Sequence, residues 1–298
     1  MLNDGFENLK RAWLYVRTNR FLWPIAFVIA LAGGGSQGFS LWVQSPISRS
    51  LTALSPIHRI GQRITDFAHG NLAFWSIFLV VGFFAGLIVV ALGAFAQAAA
   101  IWGVSDVEHG RPAGLAAALR VARDHFVRVI VLVLGYLLLV GIITVPSLLF
   151  FWTVGKKGFV LPCLAGLVLG VGLLVASVLL SVMLELSLRY AVLDDRGIVE
   201  SVQMAGIFFK EFWREVALTW LYVTVISIMG TVVMAIVLAV LATPLSWIFN
   251  AADVHHNAFI IAASIVAFIL AWAVAAAFAG IFSILGSAMW TLTFNDLV

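Results

Sequence analysis

The sequence predicts an all-α integral membrane protein: six transmembrane helices built as three parallel repeats, each an interfacial amphipathic helix followed by a helical hairpin. Composition is the first ground. Of 298 residues, 63% are hydrophobic and 10% charged, with mean hydropathy +1.11, whereas soluble domains carry about 25% charge. The second is continuity. Apolar runs near 21–43, 73–103, 129–152, 159–190, 216–245 and 258–293 each reach the length of about 20 residues that a spanning helix needs. They are too unbroken for membrane β-strands, which alternate over about 10 residues. The third is recurrence: a polar corner and a helical stripe precede each pair of apolar runs.

Taken in order, residues 4–20 begin with Asp4-Gly5-Phe6-Glu7, an N-cap signal of the capping-box type. Phe6, Leu9, Trp13 and Val16 follow at spacings of three and four, a helical stripe. Glu7, Lys10, Arg11 and Arg17 lie opposite, so this helix is expected in the headgroup region, apolar side toward the acyl chains. The first apolar run has Pro24 in its first turn, where proline is tolerated, and thins into Gly33-Gly34-Gly35-Ser36-Gln37-Gly38, a place where it breaks before crossing fully. A basic start ahead of an apolar run also describes a signal peptide; the length and amphipathy of residues 1–20 favour an element retained in the fold.

Residues 44–72 form the longest polar connection, with Leu51, Leu54, Ile57, Ile60 and Ile64 in helical rhythm. They read as an outer-surface connector lying on the bilayer. After the second run, Asp106 to Pro112 turns the chain, and Leu115, Leu119, Ala122, Phe126 and Val129 make a second stripe, with Arg120, Arg123, Asp124 and Arg128 turned away. The third run carries Pro146 and leads through Gly155-Lys156-Lys157-Gly158 to the fourth. That short loop predicts an antiparallel hairpin. Asp194-Asp195-Arg196-Gly197 turns the chain again, the two aspartates placed to cap the next helix at its positive end. Ile198, Val202, Ala205, Phe208 and Phe212 then form the third stripe, with Glu200, Gln203, Lys210 and Arg214 on other faces. The fifth run is expected to end near Pro244, a solvated loop to follow through Asn257, and the sixth run to tilt, to kink around Gly280 or Gly286, or to project beyond the membrane, because it exceeds a bilayer's need.

The whole chain, 1–298, is then one membrane domain with repeat units of about 4–103, 112–193 and 197–293, anchored on Asn19-Arg20-Phe21, Asp124-His125-Phe126 and Lys210-Glu211-Phe212. Because each unit crosses twice, the repeats are parallel rather than inverted. Twelve of the 17 Lys and Arg residues lie in residues 1–20, 111–128 and 189–214, against five in the alternate connections. The positive-inside rule therefore puts both termini in the cytoplasm, and the location expected is the cytoplasmic membrane of a prokaryote.

The passage from Arg189 to Ser201 (RYAVLDDRGIVES), with an aromatic-rich amphipathic helix and a new span after it, resembles the repeated juxtamembrane signature of six-span prokaryotic membrane proteins related to the membrane domain of glycerophosphodiester phosphodiesterases. In that family the phosphodiesterase chemistry belongs to a separate soluble barrel. Nothing of that size accompanies these runs, so the resemblance implies a membrane module without the catalytic part.

Candidate chemistry is sparse. Glu185 is the most informative polar residue, because an ionisable group at membrane depth costs about 2.5–3.5 kcal/mol on insertion scales. Arg189 stands at i+4, where the two can pair, and Gln97 holds a comparable position on the second run. These three are the candidate intramembrane polar site; a structural ion pair near the interface is the preferred reading of the first two. Trp13, Arg17, Arg120, Arg123, Lys210 and Arg214 are the expected interfacial-helix contacts. Asp253, His255, His256 and Asn257 offer too tight a spacing for one metal site. Gly-rich phosphate loops, HExxH and a GxSxG with partners are absent from the sequence, so neither an enzyme nor a cofactor is expected. The tryptophans fall near span ends as an aromatic belt does. Gly82, Gly86, Gly93, Gly166, Gly170 and Gly172 are expected at close helix contacts. Cys163 is the lone cysteine, so no internal disulfide exists. The function expected is a non-enzymatic lipid-interacting, membrane-organising or complex-partner role; the alternative is a transporter or channel for a small or lipidic substrate. Membrane lipids are the expected partners, with a protein partner or homo-oligomer beside them and no nucleic acid.

Overall fold

A computed structural model describes residues 2–34, 72–111, 113–154, 160–255 and 258–298, all of it helix and short connections. The helices are α1 (Leu2–Thr18), α2 (Leu22–Ile29, running into a π-helical turn Ala30–Gly34), α3 (Leu72–Glu108), α4 (Leu115–Val154), α5 (Val160–Leu193), α6 (Ile198–Glu211), α7 (Trp213–His255) and α8 (Ala258–Leu297). Five of them, α3, α4, α5, α7 and α8, are long and apolar enough to cross a membrane. The outer connection 44–72 lies outside the described residues except for its last position, as do the 155–158 loop and the chain beyond Gly34 where the first apolar run thins.

Several boundaries differ from those the sequence predicts. α1 starts at Leu2, so Asp4 sits in its first turn instead of capping it; the apolar start carries the helix past the acidic signal. α7 continues through Pro244 to His255, so Asp253 and His255 lie on a helix and not in a loop. α8 runs as one helix of 40 residues through Gly280 and Gly286, in keeping with a run longer than a bilayer needs.

The three anchor positions also part company. Between α1 and α2 the chain turns at Asn19-Arg20-Phe21, where Asn19 Nδ2 donates to Tyr15 O at 3.0 Å and Trp23 Nε1 donates to Val16 O at 3.0 Å. These bonds satisfy carbonyls that a helix end leaves open. Between α6 and α7 only Phe212 departs from helix, and Val216 N still donates to Phe212 O at 3.0 Å. Asp124-His125-Phe126, by contrast, is uninterrupted helix inside α4. The second amphipathic segment is the beginning of its span, not a separate helix.

Contacts group the chain into two compact units. The first comprises Met1–Ala12, Ala98–Tyr222 and Ala288–Val298. Its centre is the end of α8, buried without a break from Ala288 to Phe294. Phe294 meets Tyr190 of α5 edge-on at 4.8 Å and Phe208 of α6 at 5.7 Å between ring centres, arrangements that aromatic rings favour. α4 buries Ala118, Ala122, Val129, Leu132 and Tyr136 along one side. α5 packs on α4, where Tyr136 Oη and Ser187 Oγ are 3.3 Å apart. Thr219 of α7 and Thr293 of α8 bond through their hydroxyls at 3.0 Å.

The second unit comprises Trp13–Gln97 and Val223–Ser287. Its close contacts are made by glycine. A Cβ at Gly280 would fall 2.6 Å from the carbonyl oxygen of Ala26, and one at Gly230 would fall 2.8 Å from the Phe282 ring. Of the glycines the sequence nominated, Gly93 faces Ala32 closely, while Gly82, Gly86, Gly170 and Gly172 have no neighbour among the described residues within 4 Å of where a Cβ would be. Spacing alone cannot tell a glycine on a helix contact from one turned to lipid, and that is the reason for the difference.

Candidate functional site

The Glu185 and Arg189 side chains form the ion pair their spacing predicts. Arg189 Nη1 donates to Glu185 Oε2 at 2.7 Å, and the guanidinium lies 6.0 Å from the Trp290 ring centre. Arg189 is fully buried and Glu185 partly so. Helix α5 places both one turn apart, and α8 supplies the aromatic face a cation prefers. Gln97 falls in the other compact unit, half-buried near the end of α3. Trp13, Arg17, Arg120, Arg123, Lys210 and Arg214 are all exposed.

A second polar cluster comes from residues that sequence reading passed over. Arg11 does not turn to solvent with Lys10 and Arg17. It pairs with Glu108 at the end of α3 and, at 3.2 Å, with Asp296 at the end of α8. Asn8 Nδ2 donates to Asp296 Oδ2 at 3.0 Å, and Asn295 Nδ2 donates to Glu108 Oε2 at 2.6 Å and to Ser105 Oγ at 3.2 Å. Asn8 and Arg11 stand at i,i+3, a spacing that puts both on one helix face. No local signal ties Arg11 to residues 97 and 285 positions away, or Asn8 to one 288 positions away.

The turn between α5 and α6 is held from α4. Arg128 donates to the carboxylate of Asp195 and, at 3.0 Å, to its backbone carbonyl; His125 Nε2 lies 3.2 Å from the same carboxylate. Asp195 has φ 55°, the left-handed region, and is the one non-glycine residue there among the described residues. The Arg128 guanidinium, with help from His125, holds the Asp195 carboxyl below the usual carboxylate range. Neither Asp194 nor Asp195 caps α6, contrary to the sequence expectation: its N-cap is Gly197, without a side-chain bond. The arginines have captured both aspartates, since Arg196 Nε bonds Asp194 Oδ2 at 3.4 Å.

Between the ends of α3, α4, α5 and α8 lies a cavity of about 790 Å³. Trp102, Val121, Val192 and Phe294 make its apolar wall, and Asp106, His109, Arg111, Asp124, His125 and Arg128 are among its polar lining. Its edge is set by a glycine-terminated helix end: Gly110, φ 68°, lets Arg111 N bond Asp106 O at 3.0 Å and Gly110 N bond Val107 O at 3.1 Å, the Schellman pattern. Glu185, Arg189 and Gln97 are not part of that lining. Among the described residues no group of three or more His, Cys, Asp or Glu is placed to hold a metal ion.

No family model matches this chain, and comparisons with curated proteins and with solved structures likewise give no match. The fold and site define its class by themselves: a helical protein with several membrane-capable spans and a polar, cavity-bearing unit.

Proposed function

We propose that the protein is a non-enzymatic, lipid-interacting module of a prokaryotic cytoplasmic membrane, with six spans in three parallel repeats and both termini in the cytoplasm. Its resemblance to the membrane domain of glycerophosphodiester phosphodiesterases belongs to the same proposal. The observation that carries the lipid reading is the surface of α1, where Phe6, Lys10, Trp13 and Arg17 stand exposed at spacings of four, three and four. One helix face thus combines aromatic rings with cations, the combination that settles in the headgroup layer of anionic lipid. Lys210, Trp213 and Arg214 expose the same chemistry at the α6–α7 corner. Arg120 and Arg123 expose cations on α4. The Glu185–Arg189 ion pair, with Trp290 against the guanidinium, fits a structural role. Transport, the second reading, would need a polar path reaching that pair, and the cavity described is lined by other residues.

The test is thermal stability of the full chain in vesicles of phosphatidylcholine with and without phosphatidylglycerol. The wild-type chain is expected to be stabilised by the anionic lipid, and the variant Lys10→Gln, Arg17→Gln, Lys210→Gln, Arg214→Gln is expected to lose most of that gain, at about 1 kcal/mol of lipid attraction per cation. An unchanged gain in the variant would defeat the reading.

A further inference from the structure

The cavity at the ends of α3, α4, α5 and α8 has chemistry that the basic surface does not explain. Asp106 lines it with only 8% of its side chain exposed. Among the described residues its carboxylate has no hydrogen-bond partner, and its one counter-ion, Arg111, stands 3.7 Å away with 70% of its own side chain exposed. The carboxylate oxygens keep their access to the cavity, and a distant, solvated arginine satisfies little of their capacity. Trp102 lies one helical turn before Asp106 on α3 and joins it in the lining, with Phe294 from α8. A carboxylate and an indole lining one cavity offer an ammonium group a charge-assisted hydrogen bond and cation–π attraction. The Asp106–Arg111 pair also presents opposite charges side by side at the cavity. A ligand carrying an amine and a phosphate two carbons apart matches that pair with signs reversed, and the loose arginine is free to swing onto the phosphate, which guanidinium binds well.

We propose that this cavity binds a phosphoethanolamine group, its ammonium on Asp106 and Trp102 and its phosphate on Arg111, delivered as the headgroup of phosphatidylethanolamine. The assignment rests on the lipid-interacting reading above but uses different residues and a different lipid. It explains why a polar cavity with apolar walls lies beside helices apolar enough to enter a bilayer.

The experiment is native mass spectrometry of the full chain in detergent, titrated with phosphatidylethanolamine or phosphatidylglycerol of the same acyl chains. The wild-type chain is expected to bind the first phosphatidylethanolamine about tenfold more tightly, equivalent to about 1.4 kcal/mol. Asp106→Asn is expected to bring that affinity to the phosphatidylglycerol level and to leave phosphatidylglycerol binding unchanged. Trp102→Leu serves as the second probe if Asp106→Asn does not fold, with the same direction expected. Equal binding of the two lipids by the wild type, or a preference that survives both substitutions, overturns the proposal. Binding of free phosphoethanolamine without preference for the lipid overturns the lipid source and assigns the cavity to a soluble ligand. The four-cation variant above keeps the two readings apart: if it behaves as wild type toward phosphatidylglycerol while the phosphatidylethanolamine preference stands, the surface reading alone fails.

Discussion

Two stretches of this molecule, equally plausible as spans from their apolarity, face opposite surroundings. From Trp75 to Gly86 every residue of α3 is exposed, and the sequence there, WSIFLVVGFFAG, is dominated by large apolar side chains. From Ala288 to Phe294 every residue of α8 is buried, and the sequence, AMWTLTF, contains two threonines in seven positions. The more apolar stretch is the outer one. In water the order would be reversed; next to lipid, burial gains little from hydrophobicity, because the acyl chains are as apolar as leucine. What the interior gains is close packing and hydrogen bonds, such as the 3.0 Å contact of Thr219 with Thr293.

The sharpest way to break this comparison is to make one change in both places. Phe294, 2% exposed, and Phe83, 63% exposed, are each to be replaced by alanine. Phe294→Ala is expected to cost about 3 kcal/mol through the void left between Tyr190 and Phe208, and Phe83→Ala to stay within about 0.5 kcal/mol, both read by thermal unfolding in a fixed detergent. Comparable losses at the two sites would mean that the Trp75–Gly86 face is covered. Next in size, Glu185→Ala takes the carboxylate from the buried Arg189 guanidinium, and removing one member of such a pair costs about 3 kcal/mol; lost folded yield, with Glu185→Gln retaining more, is the expected pattern, and a stable alanine variant would show that the other contacts of Arg189 suffice for the charge. Gly280→Ala should then cost about 1–3 kcal/mol by pressing on the Ala26 carbonyl, whereas Gly82→Ala, with open space around it, should raise stability slightly through helix propensity. Thr293→Val is expected to lose about 0.6 kcal/mol, the usual size of such a bond between membrane helices.

The smallest effect concerns pH. The folded Asp195 carboxyl lies below its ordinary value because of Arg128 and His125. A group depressed on folding stabilises the native state above its unfolded value, about 3.9, and that contribution disappears as pH falls through the lower folded value. Protection from hydrogen exchange at residues 194–197, relative to the free-peptide rate at each pH, should therefore fall below about pH 4, and Asp195→Asn should remove that acid dependence. An identical acid response in that variant would place the titration elsewhere.

These contrasts also mark what could be read from sequence. Membrane class, the five long helices and the Glu185–Arg189 pair were legible, because apolar continuity and i,i+4 spacing are local signals. The orientation of each helix face was not, since a residue turned to lipid and one turned to a neighbouring helix obey the same apolar preference. Thus on the one stripe expected to face the acyl chains Phe6 and Trp13 are exposed but Val16 is buried, with Asn8 and Ala12 buried beside it. Arg11 was assigned to the basic outer face for lack of any hint of Glu108 and Asp296. Trp102 read as a belt tryptophan at a span's end and Asp106 as the start of the polar turn after it; their common cavity needs α4 and α8, which no spacing within α3 reveals.

The burial of Ala288–Phe294 carries a further consequence, one of timing. The segment around which the first unit closes comes after its other parts in the chain, and synthesis runs from the N-terminus. Arg189 enters the membrane before Trp290 exists, Tyr190 and Phe208 before Phe294, and Arg11 before Asp296. Until α8 arrives, those groups must be held by lipid, by water at the interface or by one another. Glu185 at i+4 is the other charged residue on Arg189's own helix, so this ion pair needs only α5 to form and does not wait for α8.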